Sequence, residues 1–396
     1  MVNDNEELPI LNVGIVGHID HGKTTLLHKL SGKWTDTHSE ELKRGITIKL
    51  GYADVILYED QGKYNVQKGT PIRHISFIDA PGHEMLMATM LSGAAIIDAA
   101  ILVVAANEGI KPQTREHLIA LQAKKVMHLI VVQNKIDLVD KTQALKSFQE
   151  IKALLKGKYD DATIIPVSAQ QEVNIEAIYR ALAEVPVPER IAMGEPRFLV
   201  ARSFDVNRPG TTPAELKGTV LGGTLIKGTL KIGDALEIKP GIVVKEANQY
   251  RYRTLKTKIR RLFKGSKETM ALTPGGSMSI ETELDMALGK SDALAGCIAS
   301  RPGVLPDITT TIKISYSLFP EMVGMSGSVK VEPLKMSEMI LLSINTSMTL
   351  GVIKKLGKNE IELSLKVPIV PSPKENVGIA RNINNHWRLI GYGEVL

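Results

Sequence analysis

A glycine-rich segment near the start of the chain combines the residue types that bind phosphate groups. It runs Gly17-His-Ile-Asp-His-Gly-Lys-Thr24, follows an apolar run and precedes a segment with helical spacing. Glycines let backbone N–H groups turn towards phosphate oxygens, and a helix N-terminus adds its positive dipole end. We expect Lys23 to reach the β- and γ-phosphates of a nucleoside triphosphate and the Thr24 hydroxyl to ligate Mg²⁺. The predicted phosphate-site residues are Asp20, His21, Gly22, Lys23, Thr24 and Thr25.

A second polar motif, Asn134-Lys135-Ile-Asp137, selects the base. The Asp137 carboxylate can accept hydrogen bonds from N1–H and the exocyclic amine of guanine, whereas adenine offers an acceptor at N1 and no amine there. Because a buried carboxylate left unpaired is costly, such a site rejects adenine. Ser168-Ala169-Gln170, after the last predicted strand of this region, is expected to support the base through backbone groups and the Ser168 hydroxyl. Together with the phosphate loop, these motifs predict GTP or GDP rather than an adenine nucleotide.

Two further segments lie where a γ-phosphate would be sensed. In Asp79-Ala-Pro-Gly82-His83, Asp79 can hold Mg²⁺ through a water, Gly82 lets the backbone approach the γ-phosphate, and His83 can position the attacking water. His83 is therefore the predicted catalytic residue, and its alternative interpretation is an ordinary surface histidine. Thr47, in Arg44-Gly-Ile-Thr47, is the expected second protein ligand of Mg²⁺ when GTP is bound.

Asp20 places a carboxylate inside a loop that should bind anions. The triphosphate would repel it unless it turns to solvent or a cation compensates it. We therefore hypothesise a second Mg²⁺, shared by Asp20, the Gly45 carbonyl and the phosphates. The predicted magnesium residues, for one ion or two, are Asp20, Thr24, Gly45, Thr47 and Asp79.

Alternating strands and helices are expected to position these motifs. The predicted strands are Leu11–Val16, His74–Ile78, Ala100–Ala105, His128–Gln133 and Thr163–Pro166. A helix is expected to open at Pro112, and a stripe of Leu145, Phe148, Ile151 and Leu155 indicates another, with Gly157 just past its end. This alternation predicts an α/β P-loop domain with a mostly parallel sheet and flanking helices.

The pattern changes after a Pro-rich linker. Short β-branched segments punctuated by Gly and Pro predict two antiparallel β-barrels, and the methionines from Met322 to Met348 are expected in barrel core. The predicted domains are a nucleotide-binding domain at 1–194, a barrel domain II at 195–302 and a barrel domain III at 303–396.

Composition narrows the function classes. The 396 residues contain one cysteine, Cys297, which excludes disulfides within the chain and a Cys-rich zinc site. No apolar run reaches the 18 or so residues that span a bilayer, so no membrane partner is expected. The net charge of +6 permits a nucleic-acid partner without requiring one. A cytoplasmic location fits this composition.

The motifs together resemble those of translational GTPases. Trp34–Tyr52, Glu84–Ala95, Arg202–Thr211 and His386–Gly393 closely resemble the gamma subunit of archaeal and eukaryotic translation initiation factor two, and the resemblance extends from about residue 11 to the C-terminus. It implies a G domain followed by two β-barrels. It also implies a slow GTPase that delivers methionyl initiator tRNA to the small ribosomal subunit and releases it after hydrolysis, within a heterotrimer with alpha and beta subunits. The positions of Asp20, Thr24, Gly45 and Thr47 match that family's magnesium pattern.

One segment departs from the family. Members commonly carry a four-cysteine zinc knuckle before the strand that leads to Asp79, but Ala53 to Arg73 is short and contains no cysteine. We expect no zinc and a hairpin around Gln61-Gly62-Lys63.

Other functions stay open from the sequence. Elongation factor Tu and the selenocysteine-specific factor share the motifs and the barrels, so carriage of aminoacyl-tRNA in elongation is the main alternative. A scaffold that binds GTP with negligible hydrolysis is another. The segment from Lys245 to Glu268 carries nine Lys or Arg and two Glu. It is either an RNA contact or the solvated face of a hairpin.

Overall fold

The computed structural model describes six stretches of the chain. They are residues 8–33, 51–79, 96–208, 210–246, 249–322 and 329–396. The described residues up to Pro188 form one compact unit, and those from Glu189 to Met322 and from Lys330 to Leu396 form a second.

The first unit is built on a seven-stranded sheet. Its strands are β1 Ile10–Gly17, β2 Gly51–Asp60, β3 Lys63–Asn65, β4 Thr70–Asp79, β5 Ala99–Ala105, β6 His128–Asn134 and β7 Thr163–Pro166. The helices in its described part are α1 Lys23–Ser31, α2 Pro112–Ala123, α3 Lys141–Leu155 and α4 Ile175–Glu184. The strand order is β3-β2-β4-β1-β5-β6-β7, with β4, β1, β5, β6 and β7 parallel and β2 and β3 antiparallel. The predicted α/β domain is confirmed.

The central strands are apolar along their length because both faces of the sheet are covered. Every residue of β1 and of β5 is buried, as expected for parallel strands between helices. Since parallel strands end at the same edge, the phosphate loop after β1, Asp79 at the end of β4 and Asn134 at the end of β6 meet there. The five strands predicted from apolar runs are confirmed, each to within a few residues except for the longer β4.

The hairpin predicted in place of a zinc knuckle is also confirmed. β2 and β3 pair antiparallel with Asp60 opposite Lys63, so Gln61 and Gly62 form a two-residue turn. Both residues have positive φ, 52° and 78°, which is the geometry of a type I′ turn.

The stripe predicted for α3 is wrong in part. Ile151 and Leu155 are buried as expected, but Leu145 is 55% exposed. The helix is rotated so that Ser147 and Leu154 enter the core instead. The helix does end where predicted, with Gly157 just beyond it at φ 71°.

The second unit contains two sets of antiparallel strands. The first set is β8 Arg197–Phe204, β9 Val220–Lys227, β10 Leu230–Lys231, β11 Ala235–Glu246, β12 Gln249–Lys264, β13 Lys267–Thr269, β14 Ala271–Leu272, β15 Met278–Thr282 and β16 Ile298–Ser300. The order β11-β16-β8-β9-β15-β12 closes into a ring because β11 also pairs with β12. Its core contains Cys297, whose thiol is buried and lies 3.8 Å from the Gly241 carbonyl oxygen.

The second set forms the last barrel. Its strands are β17 Thr309–Leu318, β18 Met339–Ile344, β19 Ser347–Leu356, β20 Glu360–Ile369, β21 Asn376–Ile383 and β22 His386–Val395, closed in the order β17-β20-β19-β18-β21-β22. The two predicted antiparallel barrels are confirmed. The predicted boundary at residues 302 and 303 lies between β16 and β17, while the domain limits themselves stay predictions.

The methionine prediction is wrong at two positions in the last barrel. Met336 and Met339 are 55% and 54% exposed. Met339 opens β18 on the outer face, since its neighbour Ile340 is fully buried and successive strand residues point to opposite sides. Among the described residues, no helix combines the length and apolar character needed to cross a membrane.

Candidate nucleotide site

The phosphate loop has the backbone geometry that its glycines predict. Gly17 and Gly22 have φ of 142° and 90°, values that L side chains rarely adopt, and Asp20 between them is also left-handed at 60°. A Cβ on Gly17 would lie 2.4 Å from the Val103 carbonyl oxygen of β5. Lys23 begins α1, and its Nζ donates to the His18 carbonyl oxygen across the loop at 2.8 Å. The loop is therefore closed on itself at the start of the helix.

Asn134 joins three of the predicted motifs through one buried side chain. Its Nδ2 donates to the His21 carbonyl oxygen of the phosphate loop at 2.9 Å. Its Oδ1 accepts from the Ala169 N–H at 3.0 Å. Gly22 lies directly against it, since a Cβ there would be 2.5 Å from Asn134 Nδ2. The base motif, the phosphate loop and the Ser168-Ala169-Gln170 segment are thus fixed relative to one another.

Thr24 and Asp79 form the oxygen pair expected of a magnesium site. The Thr24 hydroxyl donates to Asp79 Oδ2 at 3.1 Å, and Asp79 is fully buried. Mg²⁺ prefers oxygen ligands and usually keeps several of its waters. The hydroxyl and the carboxylate therefore fit one hydrated Mg²⁺ by donor type, Thr24 as a direct ligand and Asp79 through a water.

Residues closer to the base are arranged around short turns. Lys135 has φ of 60°, and Asp137 lies exposed in the short 3-10 turn Ile136–Leu138 that follows it. Ser168 is fully buried, and its hydroxyl accepts from the Gln171 N–H at 3.1 Å. Ser168 therefore shapes the turn, while Gln170 beside it is exposed. Thr25 lies in the first turn of α1.

Sequence reasoning missed Glu108, which follows β5 at the same edge of the sheet. Its carboxylate lies 3.5 Å from Lys135 Nζ, 3.7 Å from Lys111 Nζ and 3.9 Å from His21 Nε2. It therefore touches the base motif and the phosphate loop at once. Its place just after an apolar strand of the parallel sheet was the available signal.

Two buried histidines support the loop as neutral groups. His117 of α2 accepts the Gly17 N–H at Nδ1, at 2.8 Å, and burial lowers its pKa to about 3, helped by the positive charge of Lys23. Burial also lowers the pKa of His21 to about 4, although the Val103 carbonyl oxygen, 3.3 Å from Nδ1, acts in the opposite direction. Neither ring carries a proton charge near neutral pH. The role of His117 was not predicted from the sequence.

Four predicted site residues lie outside the described stretches. They are Gly45, Thr47, Gly82 and His83. Asp20, the remaining residue of the two-metal hypothesis, is exposed at the tip of the phosphate loop.

Two family models match the chain. Residues 8–187 match the elongation factor Tu GTP binding domain, and residues 310–395 match the C-terminal domain of initiation factor eIF2 gamma. The first match covers the site described above, and the second covers the last barrel.

Similar proteins extend over nearly the whole chain. Translation initiation factor 2 subunit gamma of Pyrococcus furiosus is 47% identical, across 97% of this chain and 96% of that protein. The chain belongs to the gamma-subunit family of translation initiation factor 2. The corresponding protein of Aeropyrum pernix is 45% identical and covers 99% of both chains. Membership makes this protein a GTPase of translation initiation. Proteins of this family bind GTP or GDP with Mg²⁺.

Solved structures of other translational GTPases share the fold. Bacterial selenocysteine-specific elongation factor EF-Sec superposes with a TM-score of 0.76 at 24% identity, over 97% of this chain and 58% of that one. Elongation factor SelB of Methanococcus maripaludis, in complex with the GTP analogue GppNHp, gives 0.74 at 22% identity, over 98% and 79%. At these identities the likeness concerns the fold alone.

Proposed function

We propose that this chain binds methionyl initiator tRNA in its GTP state, delivers it to the small ribosomal subunit and releases it after hydrolysis. The observation that carries the proposal is the identity of 47% to an initiation-factor gamma subunit over nearly the full length of both chains. The phosphate and base motifs, which the fold brings together, support it, since binding and release of tRNA that depend on GTP require a nucleotide site.

The nucleotide is held by residues from the loop and both base motifs. Lys23 contacts the β- and γ-phosphates, and the N–H groups from Asp20 to Thr25 surround the phosphate oxygens. Asp137 accepts hydrogen bonds from guanine, and Lys135 belongs to the same base motif. Asn134 acts indirectly, because its hydrogen bonds to His21 and Ala169 hold the two halves of the site together.

Thr24 and Asp79 would hold Mg²⁺, which supplies positive charge to the triphosphate when bound. Thr47 would join this set in the GTP state, and Asp20 with the Gly45 carbonyl oxygen would hold a second Mg²⁺. Gly82 brings backbone N–H to the γ-phosphate, and His83 orients the attacking water. Hydrolysis is slow without ribosomal stimulation.

The partners follow from the family. We propose a heterotrimer with alpha and beta subunits, acting in the cytoplasm where the small ribosomal subunit is found. The hairpin of β2 and β3 stands where a zinc knuckle would be expected, and we propose that the chain uses no zinc. We retain the domain limits 1–194, 195–302 and 303–396.

Filter binding with labelled methionyl initiator and elongator tRNAs tests the proposal. With a non-hydrolysable GTP analogue and Mg²⁺, initiator tRNA should bind at least about tenfold tighter than elongator tRNA, which is about 1.4 kcal/mol. GDP should weaken that binding. Equal affinity for the two tRNAs would favour the elongation function, and no binding of either would remove the proposal.

Single-turnover hydrolysis separates a switch from a GTP-binding scaffold. Small subunits carrying bound initiator complex should accelerate GTP cleavage over the intrinsic rate, which for unassisted GTPases is about 10⁻⁴ to 10⁻² per second. His83→Ala should abolish the stimulated rate and leave GTP affinity unchanged. An unstimulated rate in the wild-type chain would support the scaffold.

A further inference from the structure

Strand β12 carries most of the basic segment between Lys245 and Glu268, and two sets of its cations differ in their contacts. Arg261 forms ion pairs within the barrel. Its guanidinium donates to both carboxylate oxygens of Glu268 at 2.8 and 2.7 Å and lies 3.7 Å from the Glu281 carboxylate. Lys264 also has a partner within the barrel, because its Nζ donates to the Thr273 hydroxyl at 3.1 Å.

A second group, Lys256, Lys258 and Arg260, forms an exposed row on the same strand. Alternate residues of a regular strand point to one side about 6.8 Å apart, which places Lys256 and Lys258 on the same face. Arg260 is the next exposed cation and lies at a β-bulge, where the pairing of β12 with β15 shifts between Ile259 and Arg261. The buried Leu255, Ile259 and Leu262 belong to the barrel core.

No acidic side chain in the described part of the chain forms an ion pair with this cationic row. Glu237 lies opposite Lys256 in the register, but it is buried and pairs with Lys239 at 3.6 Å. Glu283 is exposed nearby, and its backbone N–H, rather than its carboxylate, is engaged, with the Thr257 hydroxyl at 3.1 Å.

The row therefore holds like charges close together without internal compensation. Two unit charges about 7 Å apart repel by about 0.6 kcal/mol in water, and no ion pair among the described residues offsets this. A closed barrel also fixes the strand, so the charges are ordered before any ligand arrives. A convex strand surface offers no enclosure for a small anion, whereas a nucleic-acid backbone presents a matching line of phosphates.

We propose that Lys256, Lys258 and Arg260 bind consecutive phosphates of the initiator tRNA backbone. This inference rests on the proposed function, because a chain that delivers initiator tRNA must bind it before it reaches the ribosome. The planar guanidinium of Arg260 can engage a phosphate with two donors, and the two lysines act as point charges. Because phosphates carry no sequence information, the row contributes affinity and orientation rather than choice of tRNA.

The test compares salt dependence between wild type and the triple variant K256Q/K258Q/R260Q, using the full chain with a GTP analogue. Each phosphate contact contributes about 0.7–0.9 to the slope of log affinity against log salt. The triple variant should lose about 2–3 from that slope and bind initiator tRNA about 10- to 100-fold more weakly at 0.1 M salt. The charge-preserving variant K256R/K258R/R260K should restore most of the affinity.

A matched control removes three exposed lysines from α3, in K141Q/K146Q/K152Q. It changes the net charge equally and should leave the slope within about 0.5 of wild type, because those residues contact no phosphate. An equal loss in this control would overturn the proposal in favour of a general charge effect. All variants should keep wild-type affinity for the GTP analogue and wild-type thermal unfolding of the second unit, which contains β12; together these show that both units fold.

The two proposals fail in different ways. If the wild-type chain does not bind initiator tRNA, the proposed function fails. If it binds and the triple variant has unchanged affinity and slope, only the cationic row is wrong. If the triple variant keeps its tRNA affinity but loses affinity for small subunits, the row contacts ribosomal RNA or protein, and the tRNA assignment is overturned.

Discussion

Gly22 is the residue on which the phosphate loop and the base motif meet. Its φ of 90° and the 2.5 Å between a built Cβ and Asn134 Nδ2 leave no room for a side chain. Gly22→Ala should displace Asn134 and weaken GDP binding by about 10- to 100-fold, equivalent to about 1–3 kcal/mol of overpacking. Fluorescent GDP titration measures it.

Gly32→Ala is the matched control for that substitution. Gly32 ends the same helix with a similar left-handed φ of 69°, but a Cβ there meets nothing within 4 Å. It should cost about 1 kcal/mol of stability from backbone strain and leave nucleotide affinity unchanged. Equal losses of GDP affinity in both variants would show that strain, and not the contact with Asn134, is responsible.

Glu108 should matter for nucleotide affinity although it is not in any of the predicted motifs. Glu108→Gln removes the charge that faces Lys135 and His21, so the base motif and the loop lose a shared partner. We expect affinity for GTP and GDP to fall equally, by about fivefold or about 1 kcal/mol, because the carboxylate is partly exposed. Isothermal titration with both nucleotides measures the loss.

The control for Glu108 is Glu176→Gln. Glu176 pairs with Arg180 at 3.2 Å on the exposed face of α4, and such pairs contribute little. Its nucleotide affinity should equal that of wild type. A selective loss of GTP over GDP in Glu108→Gln would contradict a role through Lys135.

At the scale of residues, the sequence predicted which residue types form the nucleotide site but not the long-range hydrogen bonds that connect them. Gly22, Lys23 and Asp137 follow from local motifs, because the chemistry of phosphate and guanine requires them at fixed spacing. Asn134 reaches His21 across 113 residues, and His117 reaches Gly17 across 100. Contacts over such separations depend on tertiary packing, which no local pattern encodes.

At the scale of elements, apolar runs predicted the strands because parallel strands are buried along their length. Helix α3 was harder, since Ser147 is buried and Leu145 is not, so polarity alone gives the wrong face. The prediction for Met339 was wrong for a related reason, because a shift of one residue along a strand moves a side chain from the core to solvent. These errors lie away from the described strands that end at the nucleotide site, all of which were predicted from their apolar runs.

Helix α2 should make the fold sensitive to acid through His117. The pKa of His117 is about 3 in the folded chain, against an ordinary value of 6.5, so below pH 6.5 the unfolded state binds a proton that the folded state does not. The stability it contributes is present above pH 6.5 and is lost as pH falls towards 3. Between pH 7.5 and 5.5 this loss is about 1.4 kcal/mol.

His117→Asn should remove that part of the pH dependence, because the amide oxygen can still accept the Gly17 N–H without titrating. Urea unfolding of the first unit at both pH values measures the difference. The contribution of His21 to the pH dependence is the same in wild type and in His117→Asn, so it cancels in the comparison. His128→Asn, at an exposed histidine, should keep the wild-type pH dependence; a reduced dependence there would argue against His117 as the source.

At the scale of the whole molecule, the two barrels act as one unit because buried groups join them. Arg197 of β8 forms an ion pair with Glu375, just before β21, and both side chains are largely buried. A Cβ on Gly296 would lie 3.0 Å from Ser347 Cα, so the backbones of the two barrels also approach closely.

Arg197→Met should destabilise the second unit by about 2–3 kcal/mol, because it leaves the Glu375 carboxylate buried without its partner. The double variant R197M/E375L should recover part of this loss. Thermal unfolding followed by calorimetry measures both, and Lys355→Met is the control, since its pair with Glu362 at 2.7 Å is on the surface. A control loss as large as that of Arg197→Met would show that burial is not the cause.

The single cysteine makes the chain ready for site-specific labelling. Burial raises the pKa of the Cys297 thiol to about 11, so it is neither accessible nor ionised at the pH of maleimide chemistry. A cysteine introduced at exposed Lys152 and another at exposed Lys366 would therefore carry the only reactive thiols, one in each unit. Energy transfer between dyes at these positions would report directly on whether the units move apart or together when GTP replaces GDP.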